Sequence, residues 1–225
     1  MGHPQQERQT NILESWARSP LDDATPGVYF PRKALPSSRV ATMNNDAIVL
    51  LSGGIDSAAC AWFLRDNGYS VRGLFVDYGQ KAASLEKRGA EALSNALDIA
   101  LDCVSLSVPA QFGAGEIAGR NAFLVFSALL TSRLRKGVIA LGIHSGTTYY
   151  DCSTAFAQSV DRLLAEHTDG RVRLSTPFIT WSKKNIFDYY KSSKLPIDLT
   201  YSCENGQIPT CGTCLSCLDR RMLGC

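Results

Sequence analysis

The 225-residue chain has no apolar run long enough to cross a bilayer, and its first residues lack the hydrophobic stretch of a secretion signal. A membrane-embedded or exported protein is therefore not expected, and a cytoplasmic one is. Gln6 stands where an N-myristoylation signal needs Ser or Thr, so a lipid anchor is not indicated either. Charge of one sign is also missing. Against 21 Asp and Glu there are 23 Lys and Arg, and a formal +2 offers no long-range field for nucleic acid. Internal repeats are absent, which excludes a solenoid. What is present is a hydrophobic fraction of 45%, enough for the core of one domain with a small appendage.

The eight cysteines are unevenly spread. Cys60, Cys103, Cys152 and Cys225 are scattered, while Cys203, Cys211, Cys214 and Cys217 crowd into fifteen residues. Crowded cysteines without a secretion signal read as metal ligands, not disulfides. Four thiolates suit a closed tetrahedral site such as structural Zn²⁺, with an iron–sulfur cluster as the chemical competitor. Pro209 and Gly212 allow tight turns between them.

Three regions differ in texture. Residues 1–45 are rich in Pro, Ser, Gln and Arg and form an arm, with Ile12, Leu13 and Trp16 on one short helical face and Val28-Tyr29-Phe30 as a short strand. Residues 46–195 alternate. Apolar runs at 47–51, 71–76, 101–106 and 138–142 are separated by helical patterns at 55–67, 82–97, 120–136 and 153–168. Such alternation predicts an α/β fold, a doubly wound parallel sheet with helices on both faces. Ligands of these sheets sit beyond the carboxyl ends of the strands. Residues 196–225 form a small C-terminal cysteine segment.

The first predicted strand runs into Ser52-Gly53-Gly54-Ile55-Asp56-Ser57. Paired glycines let the chain turn and expose backbone N–H groups, and a helix N-terminus follows; together these collect phosphate. A kinase-type loop would carry a lysine before the hydroxyl residue, and here there is none. Two hydroxyls and a carboxylate that can assist Mg²⁺ suit a loop that holds pyrophosphate as the leaving group while an acceptor attacks the α-phosphorus.

The string SGGxDS resembles the PP-loop of the ATP-pyrophosphatase superfamily. DYGQ at 77–80, GRN at 119–121, GIHSG at 142–146, YDC at 150–152, TP at 176–177 and the closing SCENGQIPTCGTCLSC extend the likeness, over residues 46 to 221, to the QueC family of 7-cyano-7-deazaguanine synthases. The resemblance implies ATP as a substrate with Mg²⁺, a structural Zn²⁺ on the four crowded cysteines, and a homodimer. It assigns Ser52, Gly53, Gly54, Ile55, Asp56, Ser57, Asp77 and Gln80 to ATP and pyrophosphate. Asp56, Ser57, Lys183 and Arg120 become the catalytic candidates. Arg120, Asn121, Gly142, His144, Tyr150 and Asp151 fall on the acceptor side, with Asp151 reading the amino-pyrimidinone edge. On residues alone, Asp151 is equally a helix cap, His144 a plain hydrogen-bonding group, and Lys184 a solvated neighbour of Lys183.

Departures from the family pattern gather on the acceptor side. Lys81-Ala82 stand for Arg-His, Ala118 for Pro and Ser153 for Arg, and the loop before YDC is shorter. The expected reaction is adenylation of 7-carboxy-7-deazaguanine, then capture by ammonia and dehydration to the nitrile. Three alternatives accompany it. One is a QueC-like ligase of an antiphage, CBASS-type operon that joins the deazaguanine to an amine of a partner protein. Another is a tRNA-modifying PP-loop enzyme, for which a basic appendage is missing. The last is a non-catalytic zinc and nucleotide-binding module.

Overall fold

A computed structural model of the protein describes residues 45–106 and 112–225. The N-terminal arm, with the short helix and strand expected in it, lies outside the described residues. Strands β1 (Asp46–Leu50), β2 (Ser70–Asp77), β3 (Ala100–Ser105), β4 (Gly137–Ala140) and β5 (Val172–Ser175) form one sheet in the order β3-β2-β1-β4-β5, parallel throughout. Helices α1 (Ile55–Asp66), α2 (Ala83–Ala96), α3 (Arg120–Ser132), α4 (Thr154–Thr168) and α5 (Lys183–Ser192) alternate with the strands, and α6 (Leu215–Leu223) follows the cysteine segment.

The two-residue period of β1 feeds two cores. Ala47, Val49 and Leu51 pack with α1, α2 and α5 on one face; Ile48 and Leu50 pack with α3 and α4 on the other. Both faces being covered explains why β1 reads as an unbroken apolar run. Small residues let α1 lie close to the sheet: Ala58, Ala59, Cys60 and Ala61 are wholly buried. Burial raises the pKa of the Cys60 thiol, which stays protonated.

Helix α3 stops four residues before the expected 136. Arg133 takes the left-handed conformation (φ 54°) and closes it, and the Leu134 N–H turns to Ser132 Oγ at 3.3 Å. Leu134, within the expected 120–136 pattern, still packs on the α3–α4 core from outside the helix. The expected strand over 138–142 ends at Ala140, which releases Leu141 and Gly142 into the loop above the sheet.

β1 lies between β2 and β4, so the order in which strands are laid down reverses there: β2 and β3 are added on one side of it, β4 and β5 on the other. This is the switch point, where loops diverge and leave a crevice at the carboxyl ends of β1 and β4. The last segment of the chain packs over that same end. The Tyr201 N–H donates to the Gly53 carbonyl at 2.9 Å, tying residues 196–225 to the turn after β1.

Candidate active site

After the Leu51 N–H bonds to Leu74 O (2.9 Å), the chain leaves the sheet through Ser52-Gly53-Gly54 and enters α1. Gly53 has φ +82°, and an added Cβ would overlap the Glu86 carbonyl and come within 2.9 Å of Ala90 N. Only glycine fits between this turn and α2. Across the crevice, a Cβ on Gly142 would meet the Asp56 carbonyl at 2.5 Å. The turn is therefore wedged between α2 and the loop after β4. Ser57 Oγ donates to Gly54 O at 3.0 Å and accepts from Ser52 Oγ at 3.2 Å, which leaves the first N–H groups of α1 facing the crevice.

The crevice is a cleft of about 320 Å³. Ser52, Gly54, Ile55, Asp56 and Ser57 line one end, joined by Gly142, His144 and Lys183; Gln80, Arg120 and Asn121 line the other. Gly53, Asp77, Tyr150 and Asp151 lie outside the lining. Asp77 Oδ1 accepts from the Gly79 N–H at 3.0 Å and shapes its own turn. Tyr150 is exposed and stacks edge-on with Phe156. Asp151 is buried beside Cys152, and its backbone carbonyl accepts from Asn121 Nδ2 at 3.0 Å. It does not cap α4. Ser153 does, its hydroxyl accepting from the Phe156 N–H at 3.1 Å, so the helix-cap alternative for Asp151 is overturned.

Lys183, the first residue of α5, reaches back across the cleft to Asp56 at 2.5 Å, with Asp219 of α6 at 3.9 Å. Its neighbour Lys184 points outward to Asp188. Asp56 Oδ1 is buried and has no hydrogen-bond partner among the described residues. A buried carboxylate oxygen beside a phosphate-collecting turn fits a hard cation such as Mg²⁺, which binds few protein carboxylates alongside substrate phosphates. His144 is buried, and burial depresses its pKa below the ordinary value, with Lys183 adding to this and Asp56 and Asp219 opposing it. Its Nδ1 accepts from the Gly146 N–H at 3.1 Å, which places the proton of the neutral ring on Nε2.

At the other end, Gln80 makes three hydrogen bonds. It accepts from the Tyr78 N–H (2.9 Å) and donates to Val76 O (3.2 Å) and Glu86 Oε2 (2.9 Å). Its role is to hold the turn after β2 and the Glu86 carboxylate. Burial raises the Glu86 pKa above the usual carboxylate value, against the Gln80 hydrogen bond and the nearby Arg120 charge. Burial likewise raises the Tyr78 pKa, with Arg120 opposing.

The cysteine segment forms the remaining wall. The four sulfurs of Cys203, Cys211, Cys214 and Cys217 lie within 4.8 Å of one another, and those of Cys211 and Cys217 are 3.8 Å apart. A tetrahedral metal with thiolate bonds of about 2.3 Å asks for sulfurs about 3.8 Å apart. N–H groups of Thr213 and Cys214 point at Cys211 Sγ (3.5 and 3.4 Å) and bring its pKa down to about 5, whereas burial pushes Cys217 up to about 12. The four together can hold a metal ion. Glu204 then links this cluster to the cleft: it accepts from Ser216 N–H (3.1 Å) and Oγ (2.8 Å) at the start of α6, and from the Gly115 N–H (3.0 Å). Arg220 of α6 holds Thr200 Oγ1 at 2.8 Å, next to the Tyr201 bond on the phosphate turn.

The family model described as "Queuosine biosynthesis protein QueC" matches residues 46–117 and 115–223, spanning both the phosphate turn and the cysteine cluster. The chain belongs to the QueC family. Among its relatives named 7-cyano-7-deazaguanine synthase, that of Methanoculleus marisnigri is 32% identical over 204 residues, 78% of this chain and 91% of the relative. Those of Methanothermobacter thermautotrophicus (31%, 78% of this chain and 92% of the relative) and Campylobacter fetus (29%, 76% and 88%) are similar over comparable spans. SGGxDS, DYGQ, GRN, GIHSG, YDC and the closing motif each put at least one residue in the cleft lining, while Thr176 and Pro177 lie outside it.

Glu86, Tyr149 and Asp219 also line the cleft and belong to none of the motifs, while Tyr78, Glu204 and Ser216 line it from within DYGQ and the closing cysteine motif, where no role was assigned to them. Glu86 carried one usable signal. It sits in the first turn of the helix after β2, and first turns of helices following parallel strands lie at the ligand end of the sheet. Asp219 carried none, because only the return of the chain over the sheet brings it there.

Proposed function

We propose that this QueC-family protein uses ATP to adenylate 7-carboxy-7-deazaguanine, releasing pyrophosphate. Ammonia then displaces AMP, and a second ATP activates the amide for loss of its oxygen to give the nitrile. A carboxylate is a poor electrophile because its leaving group would be oxide; adenylation makes that oxygen part of AMP. The observation that supports this reading most is the lysine-free Gly-Gly turn at the sheet's switch point, with free N–H groups of α1 beneath it and Lys183 arriving from the opposite wall. Such a cradle stabilises pyrophosphate as it leaves.

In this reading Ser52, Gly54 and Ser57 bind the β- and γ-phosphates, and Lys183 exchanges part of its contact with Asp56 for phosphate oxygens. Asp56 is the residue that would hold Mg²⁺, which would offset the charge gathering on the phosphates. His144, which the resemblance assigns to the acceptor side, in this reading instead donates its Nε2–H to the nucleotide, because it faces Asp56 and Lys183. Arg120 and Asn121 steer the acceptor, and Asp151, behind Cys152, is the residue for the amino-pyrimidinone edge. Zn²⁺ on Cys203, Cys211, Cys214 and Cys217 is structural, since four thiolates leave no position for a catalytic water.

Mass spectrometry of products from ATP, 7-carboxy-7-deazaguanine and ammonia tests this. AMP, pyrophosphate, the amide and the nitrile are expected. ADP with orthophosphate would overturn attack at the α-phosphorus, and a carboxylate returned unchanged would overturn the substrate.

A further inference from the structure

Adenylation at the phosphate turn leaves one carboxylate of the cleft lining without a task. Glu86 is a half-buried carboxylate in the cleft wall, on the first turn of α2. Its main chain abuts Gly53, so its side chain starts next to the phosphate turn. Gln80, itself buried and bonded at three points, holds Glu86 Oε2 at 2.9 Å. A carboxylate fixed through one oxygen keeps its other oxygen for a ligand. Arg120 contributes positive charge nearby, and Glu204 and Asp77 contribute negative charge, so no single ion pair neutralises it.

Resting on the adenylation reading, we propose that Glu86 binds the ammonium acceptor and takes one of its protons. Ammonia is mostly protonated at neutral pH and then has no lone pair to attack with. The ammonium N–H passes its proton to the Glu86 carboxylate, and the freed lone pair forms the C–N bond at the acyl carbon. The C–O bond to AMP breaks, AMP leaves with that electron pair, and the attacking nitrogen releases a second proton to solvent. One ammonium and one acyl-adenylate thus give one amide, one AMP and two protons. Burial, which makes Glu86 a stronger base than an exposed carboxylate, suits it to this transfer. The competing account makes Glu86 only the acceptor that orients Gln80.

Glu86→Gln tests the two, because the amide oxygen can still accept from Gln80 while the base is gone. Three readouts are taken on the metal-loaded protein: carboxylate-dependent exchange of pyrophosphate into ATP, amide formation with ammonium, and hydroxamate formation with hydroxylamine. Hydroxylamine is already unprotonated at neutral pH and needs no base. The expected result is amide formation lowered about 100-fold or more, with exchange and hydroxamate formation close to wild type. Equal loss of all three would overturn the proposal in favour of the orienting role, and so would unchanged amide formation. If the wild-type protein shows no carboxylate-dependent exchange, the adenylation reading itself fails and this inference with it.

Discussion

The two walls that meet at the phosphate turn are rigid for different reasons. The turn Ser52–Ser57 is held by the fold itself: sheet bonds precede it, α1 follows it, and Gly53 and Gly142 let α2 and the loop after β4 close upon it. The segment Cys203–Cys217 has almost no apolar core of its own; its buried cluster is three cysteines with Tyr201 and Cys211 packed beside them. One wall of the cleft therefore stands on ordinary packing, and the other on a cysteine cluster that can hold a metal ion. Because Tyr201 N–H bonds to Gly53 O, the weaker wall also steadies the stronger one.

Removing the metal should break this comparison most sharply. Structural zinc sites contribute about 10–16 kcal/mol of apparent binding energy in small peptides, far more than a segment with so little core can replace. Chelation, or Cys217→Ser, is expected to free α6 and abolish pyrophosphate release. Hydrogen exchange checks it: amides of residues 201–223 should lose protection while those of β1 and β4 keep theirs. Uniform loss of protection would mean that the two walls are one unit.

Gly53→Ala attacks the other wall. Strain at φ +82° and overlap with α2 should cost about 3 kcal/mol together, visible as a lower Tm, with pyrophosphate release suppressed. The metal content should not change, which elemental analysis checks. Asp151→Ala comes next, since Ser153 already caps α4. Loss of a charge-assisted partner is expected to weaken deazaguanine binding about 10- to 1000-fold with little change for ATP, measured by calorimetric titration. Unchanged affinity would remove Asp151 from the acceptor side.

Smaller effects sharpen the link between the walls. Asp219→Asn removes the more distant of two carboxylates around Lys183. Half-exposed ion pairs are worth about 0.5–1 kcal/mol, so a two- to fivefold change in ATP affinity is expected. Lys184→Ala is the control one residue from Lys183, with no expected change in activity. It loses the exposed contact with Asp188, whose carboxyl hydrogen bonds from Lys184 and Lys191 hold at about 2. The folded-state pKa is depressed, so any contribution is present above the ordinary carboxylate pKa and is lost only as pH falls through about 2. Melting curves around neutral pH should be flat for this variant.

The alternation of apolar runs with helical patterns made the parallel sheet legible, because buried strands and amphipathic helices each write a local period. Helix ends were less so: α3 closes at Arg133 through a left-handed residue that no periodicity marks. The Gly-Gly turn from Ser52 to Ser57 and the closeness of Cys203, Cys211, Cys214 and Cys217 were readable because each is built within a few residues of chain. Gln80 lines the cleft, and its hydrogen bonds to Tyr78, Val76 and Glu86, all within six residues of it, carried no motif signal of their own.

Local arrangement was thus determined by the sequence alone: the Gly-Gly turn before α1, the cysteine cluster and the α/β alternation, all set by residues close along the chain. The tertiary structure alone decided that the cysteine segment folds over the phosphate turn, that Asp219 shares Lys183 with Asp56 across 163 positions, and that Glu86 faces the cleft. Those contacts depend on the strand order that puts β4 beside β1 and on the path by which the chain returns, and neither leaves a periodic or spacing signal in the residues themselves.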